Sequence, residues 1–408
     1  MEKLKMGVVG LGQRGTGLLS LLLTIDEVEI VALCDVYEDR LDRAKEMAVV
    51  RRGQNPSVYK NYEEMLKDEN MKAIFICSSW EAHIPQAILS LRAGKITGME
   101  VGGAYDLQEC YDLVKTYEET GTQIMMLENC CFNRFELLTT SLVRHGKLGE
   151  VVHCHGAYAH DLRDEILGGN VNRHYRLRNY KSRNCENYPT HELGPIAKIL
   201  GINRGNRMVK LVSVASKARG LEAFATSEKN PDKTLVGTKF AQGDIVETLI
   251  ACENGETISL KLDTTLPRYY SREFTVNGTK GLANQEANMV FLEEKQDSHE
   301  FFEVEETIEK YLNNANEYTE YLPDFWKNIT PEEREKGHGG MDYYMCLEFV
   351  KAALTGAKMP IDVYDAAAWA CITPLSEQSI QTGLPVEIPD FTNGKYKERP
   401  IEDVVELP

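Results

Sequence analysis

Positive charge is scarce in this sequence. Across 408 residues, 46 Lys and Arg face 63 Asp and Glu, for a net charge of −17. A chain so acidic is a poor partner for nucleic acid or an anionic membrane, and the excess serves solubility. Ten cysteines are present, yet none are spaced as C-x-x-C or as a zinc finger. The adjacent Cys130 and Cys131 are badly placed for an ordinary bridge, so free buried thiols in a reducing cytosol are expected. No apolar run is long enough to span a bilayer. No internal repeat or low-complexity tract is found. The start, MEKLKMGVVGLGQRG, runs directly into a strand and leaves no room for a signal peptide, so a cytoplasmic location is expected. What is plentiful is apolar side chain, 42% of the whole, enough for a real core in two or three domains.

The first 128 residues alternate between short apolar strands and amphipathic helices. LKMGVVGLGQRGTGLLSLLLT is a strand, a glycine turn and a helix, with Gly10, Gly12 and Gly15 in G-x-G-x-x-G spacing. The first glycine permits the tight turn and the second lets backbone approach a pyrophosphate. The third lets helix and strand pack closely, while the helix N-terminus presents N–H groups to the anion. A second strand, VEIVALCD, ends at Asp35. A carboxylate there accepts from ribose hydroxyls and repels a 2′-phosphate, which favours NAD over NADP. The rhythm continues through KAIFICS, ITGMEVG and TQIMMLE and predicts a doubly wound parallel sheet. Ligands of such sheets lie beyond the strand C-termini. Ser78 to His83, Glu100 with Val101, and Glu128 with Asn129 are therefore expected to look onto the nicotinamide end.

From residue 129 to 408 the pattern changes to an α+β domain with an open, largely antiparallel sheet and C-terminal helices. VVHCHGAYAHDLR reads as a strand with Tyr158 and His160 on one face and His153 and His155 on the other. That split, with NAD supplying any redox chemistry, argues against a metal site built from these histidines and Asp161. Residues 164 to 187 are rich in Arg, Asn and Tyr and read as a long functional loop. ENYPTHELGPIAK then opens a helix, with Pro189 and His191 in its first turn and Pro195 expected to loosen it near His191.

The glycine turn, the Glu100 segment and the later β domain resemble the Gfo/Idh/MocA oxidoreductases. Members usually carry Glu-Lys-Pro where this chain has Glu100-Val101-Gly102, so the relay lysine is absent. SSWEAH, MEVGGA, ENCC, GAYAHDLR, NYPTHELGPIAKILGINRGNR, DTTLPRYYS and GHGGMD, in that order, resemble a narrower subgroup. These are the NAD-dependent glycosidases of the α-N-acetylgalactosaminidase type, glycoside hydrolase family 109. Two features depart from that pattern. Glu192 stands where a glycine is usual, and no export signal precedes the first strand.

The resemblance implies oxidation at C3 of a sugar, loss of the C2 proton, elimination at C1, addition of water and re-reduction. It assigns His191, Tyr188, Tyr158 and His160 to catalysis, with His191 at the C3 hydroxyl and Tyr188 at the C2 proton. Arg176 would supply the cation that activates Tyr188. Glu128, Arg176, Tyr270 and Trp80 would bind the sugar, with Glu128 bridging it to the nicotinamide. Gly10, Gly12, Gln13, Arg14, Gly15, Asp35, Trp80, His83, Glu100 and Asn129 would hold NAD, and no metal is implied. The expected partner is a small glycoside, with neither nucleic acid nor membrane, and a homo-oligomer is expected. The alternative is a sugar or inositol dehydrogenase with net NADH production, and a silent NAD sensor is a third reading. His338 in the glycine turn is left open between structure and function, and Glu192 is a candidate reader of the sugar substituent.

Overall fold

A computed structural model describes residues 3–296 and 299–408. The chain forms two compact units, Met1–Phe132 with Ile329–Cys371, and Asn133–Asn328 with Ile372–Pro408. This differs from the expected boundary at 128/129 in two respects: the first unit runs on to Phe132, and it takes in a later segment. The helices Met341–Thr355 and Val363–Ala370, assigned from sequence to the second domain, belong to the first unit. Phe349 of one packs edge-on against Phe75 of the first sheet, with centroids 4.8 Å apart. Such tertiary pairing has no local sequence signal.

The first unit carries six strands: β1 (Leu4–Val9), β2 (Val28–Cys34), β3 (Ser57–Tyr59), β4 (Ala73–Ile76), β5 (Ile96–Met99) and β6 (Ile124–Met126). Their spatial order is β3-β2-β1-β4-β5-β6, and every pair is parallel. All four residues of β4 are buried, as expected of a strand covered by helices on both faces. The order reverses direction between β1 and β4, which creates the crevice where such sheets bind ligands.

The second unit carries eight strands. They are β7 (Val151–Ala159), β8 (Met208–Ala215), β9 (Ile245–Cys252), β10 (Thr257–Asp263), β11 (Thr275–Gly278), β12 (Gly281–Asn284), β13 (Met289–Leu292) and β14 (Val386–Glu387). The order is β13-β12-β11-β7-β10-β9-β8-β14, antiparallel except for the β7–β10 pair. Burial alternates along β9, with Val246, Thr248, Ile250 and Cys252 inward and Glu247 and Leu249 outward. One face is therefore the core and the other is solvated.

Two local expectations change. Residues 164–187 are not an irregular loop but contain the short helices Arg163–Leu167, Gly169–Asn172 and Arg176–Ser182. A few buried anchors, among them Ile166, Leu167, Leu177 and Tyr180, suffice to fix them. Pro189 is the residue before the helix Thr190–Ile199 rather than its first member, and Pro195 lies inside that helix. All ten cysteines are free and buried. Among the described residues no helix is long and apolar enough to cross a membrane.

Candidate active site

In the first unit the glycine turn leads from β1 into the helix Gln13–Leu22. Gly10 has φ +84, and a Cβ there would lie 2.5 Å from the Cys77 carbonyl carbon and the Ser78 nitrogen. A Cβ at Gly15 would collide with the carbonyl oxygen of Gly10. At Gly12 a Cβ would meet only the Arg40 side chain, 3.5 Å away, so backbone is open to a ligand on that side. The helix begins with no side-chain cap and no acidic residue in its first turn. Those orphan N–H groups suit a pyrophosphate.

Asp35 follows β2 and is nearly fully buried. Its Oδ2 accepts from Leu11 N–H at 2.6 Å, and its Oδ1 accepts from Tyr37 N–H at 2.9 Å. The backbone thus fixes the carboxylate at the turn, and its remaining lone pairs can take ribose hydroxyls. The donor set fits a dinucleotide without a 2′-phosphate.

The far side of the crevice is built on β4, β5 and β6. Trp80 and His83 open the helix Trp80–Arg92 after β4. Trp80 packs on Gly102, whose missing side chain makes room for the indole and whose φ is +140. His83 Nε2 lies 3.2 Å from the Ser78 carbonyl, and burial lowers its pKa to about 4, so the ring is neutral at pH 7. Glu100 follows β5 and accepts from Arg14 Nε at 2.9 Å. Arg14 Nη1 and Nη2 both donate to Asp342, at 2.7 and 3.0 Å. Asn129, after β6, donates to the same carboxylate at 2.7 Å. Glu128 is fully buried and its Oε1 accepts from Cys130 N–H at 2.9 Å.

The second unit holds the other cluster. Tyr158 lies near the end of β7 with its ring 4.4 Å from that of Tyr188, centroid to centroid. His191 sits edge-on to both, 5.5 Å from Tyr158 and 4.9 Å from Tyr188. Arg176 begins its short helix and places its guanidinium 5.1 Å from the Tyr188 ring centre. Its Nε lies 2.8 Å from Glu165 Oε1. His160, just past β7, is 6.0 Å from Tyr158 and 5.1 Å from Tyr270 by ring centroids. A backbone bridge between Ala159 and Ser271 brings Tyr270 there, and Arg272 Nη1 donates to its hydroxyl at 3.3 Å. His153 and His155 lie on the opposite face of β7, bonded to Thr257 and Ser259. Asp161 is ion-paired with Arg163 at 2.7 Å.

Burial pushes the Tyr158 hydroxyl well above the ordinary range, with Arg176 only partly offsetting it. Tyr158 is therefore a hydrogen-bond donor, not a base. Burial also lowers His160. Arg176 keeps its charge despite burial, beside the Glu165 carboxylate.

Beneath this cluster lies Glu186, fully buried, whose Oε1 accepts from Tyr188 N–H at 3.4 Å. Burial raises its pKa to about 8, the Tyr188 N–H and Glu192 working against the rise and Glu247 with it. Glu192 is also buried, and a Cβ at Gly156 of β7 would lie 2.8 Å from its Cβ. Glu192 thus packs between helix and sheet beside Glu186. The reason is register: His191 and Glu192 are adjacent on a helix and cannot share a face.

Sequence reasoning missed Asp342, Glu165 and Glu186. Asp342 had a signal in GHGGMD, where consecutive glycines precede an acid. The other two had none, because their importance lies in partners distant along the chain.

Over residues 132–398 the chain matches the family described as glycosyl hydrolase 109, C-terminal domain. Over residues 4–128 it matches the oxidoreductase family with NAD-binding Rossmann fold. A glycosyl hydrolase family 109 protein of Stenotrophomonas maltophilia (strain K279a) is 39% identical, covering 98% of this chain and 91% of that one. An alpha-N-acetylgalactosaminidase of Tannerella forsythia is 34% identical, covering 97% of this chain and 88% of that one. Among solved structures, myo-inositol 2-dehydrogenase of Lactobacillus plantarum superposes with a TM-score of 0.65 at 17% identity, covering 95% of this chain and 100% of that one, a likeness of fold alone.

Proposed function

We propose, from the premise that this chain belongs to glycosyl hydrolase family 109, that it cleaves N-acetylgalactosaminide-type glycosides through a transient C3 ketone. Membership makes it a glycosidase whose first unit binds NAD. The finer reading, substrate and route, is supported by the relatives' names and by the Tyr158–Tyr188–His191 cluster with Arg176 beside it. That cluster is the single observation that carries it.

NAD, which the Gly10–Gly15 turn and Asp35 would hold, would supply a reversible acceptor for the C3 hydride. His191 takes the C3 hydroxyl proton and then hydrogen-bonds the C3 oxygen. The ketone acidifies the neighbouring C2 proton, which Tyr188 removes as phenolate. Arg176, held charged against the Tyr188 ring, stabilises that phenolate. Electrons from the C2–H bond form the enolate and then expel the C1 substituent, which leaves with a proton. Tyr158, kept as a phenol by burial, donates a hydrogen bond to the sugar. His160 and Tyr270, ring to ring, handle the sugar or its leaving group. Water adds to C1 of the enone and gives up the proton that the leaving group took, Tyr188 returns a proton to C2, and His191 returns its proton to the C3 oxygen as the ketone is reduced. Proton transfer by positioned groups is worth ~10²–10⁴-fold. No pair of carboxylates flanking an oxocarbenium ion is required, unlike most glycosidases.

The test is a panel of p-nitrophenyl glycosides in D₂O. The expected result is p-nitrophenol release with deuterium at C2 of the product and no net rise at 340 nm. Product with its original C2 hydrogen overturns the route. Stoichiometric NADH from free sugar, without glycoside cleavage, supports a dehydrogenase instead.

A further inference from the structure

The chain leaves β7 at Ala159 and passes through three short helices, Arg163–Leu167, Gly169–Asn172 and Arg176–Ser182. They fold back on one another. Arg173 takes φ +56 before the third, and a Cβ at Gly169 would lie 2.6 Å from Leu177 Cβ. Tyr180, fully buried, shares a hydrogen bond of 2.6 Å with Thr264, just past β10. This fold-back sets Glu165 Oε1 2.8 Å from Arg176 Nε, and His174 Nε2 lies 3.9 Å from the same oxygen.

The two partners are unequally covered. The Arg176 side chain is 8% exposed and that of Glu165 30%. A surface ion pair contributes little, but a buried guanidinium that loses its carboxylate is strongly disfavoured. Arg176 in turn stands 5.1 Å from the Tyr188 ring centre. Tyr188 also meets Tyr158 from β7, His191 from the helix that follows it, and Glu186 at its backbone N–H.

Glu165 and Arg176 act with opposite sign on the groups around them. At Tyr158 burial dominates, Arg176 draws the hydroxyl down and Glu165 pushes it up. At His160 burial again dominates; Glu165, Asp161 and Asp164 draw the imidazole up and Arg176 pushes it down. The proposed cycle asks two things of Tyr188, to take the C2 proton and to return it. A cation alone serves only the first, because the phenolate it stabilises is a weak base.

We propose that Glu165 is a positioning residue whose carboxylate holds the Arg176 guanidinium against Tyr188 and offsets part of its charge, so that Tyr188 can exchange its proton in both directions. This rests on the reading of Tyr188 as the C2 base and adds to it the group that moderates its cation.

The experiment follows kcat against pH for a p-nitrophenyl glycoside with the full chain. In parallel, tyrosinate formation is titrated by ultraviolet absorbance, with the curve of the same variant carrying Tyr188→Phe subtracted. Glu165→Gln still accepts from Nε but carries no charge. Its kcat at the optimum is expected to stay close to wild type, with the ascending limb moved to acid by roughly half a pH unit or more. That sign is opposite to the one expected of Arg176→Gln. Glu165→Ala loses the contact as well, and its kcat is expected to fall by ~10-fold or more. Equal losses in both Glu165 variants with an unmoved limb show a structural role alone and overturn the proposal. Wild-type kcat in Glu165→Ala does the same, as does an alkaline shift in Glu165→Gln. If the wild-type chain turns over no glycoside, the C2-base reading fails by itself and the tyrosinate titration decides. An acid shift in Glu165→Gln then keeps Glu165 as the brake on Arg176, and an unmoved curve overturns it.

Discussion

The rings of Tyr158 and Tyr188 lie 4.4 Å apart and tilted by 37°, yet the two phenols are not equivalent. Tyr158 is buried on β7 with its hydroxyl pushed toward the neutral form. Tyr188 has the Arg176 guanidinium over its ring and Glu186 at its backbone N–H. Two adjacent tyrosines in different surroundings can play donor and base.

Tyr188→Phe removes the base and His191→Ala the C3 partner. Each is expected to lower kcat for a p-nitrophenyl glycoside by ~10²-fold or more, with the NAD Kd unchanged. Wild-type turnover in both variants removes the assignment.

Arg176→Gln keeps much of the side chain's bulk and deletes its charge. The expected outcome is a lower kcat and an alkaline shift of its pH profile, because a phenolate without its cation forms at higher pH. An unshifted profile would mean that Arg176 serves binding alone.

Gly15→Ala forces a Cβ into the Gly10 carbonyl. NAD binding is expected to be lost or weakened by ~10-fold or more, since the turn must open to accept it. Isothermal titration of the purified variant checks this, with the fold verified by circular dichroism.

Glu186 makes stability depend on pH. Its pKa is about 8 when folded, against an ordinary carboxyl value near 4.3 when unfolded. Between those values the native state holds a proton that the unfolded chain has released, so stability falls as pH rises. The contribution is fully present below the unfolded value and lost as pH passes about 8. The slope is at most ~1.4 kcal/mol per pH unit for one proton. Urea unfolding from pH 5 to 8.5 is expected to show this decline in wild type and a flatter curve in Glu186→Gln. Parallel curves would show that another group titrates.

By itself the sequence determined the parallel sheet of the first unit, its glycine turn and Asp35, because strand, turn and helix follow one another within a few dozen residues. It also determined the strand placing Tyr158 and His160 on one face, since period-two alternation is a local property. Tertiary structure alone decided that Asp342 returns from far along the chain to anchor Arg14, and that residues 341–371 join the first unit. It also decided that Glu192 turns inward beside Glu186 instead of outward. These are matters of which distant side chains share a buried space. Burial then sets their charge, and no spacing along the chain encodes that.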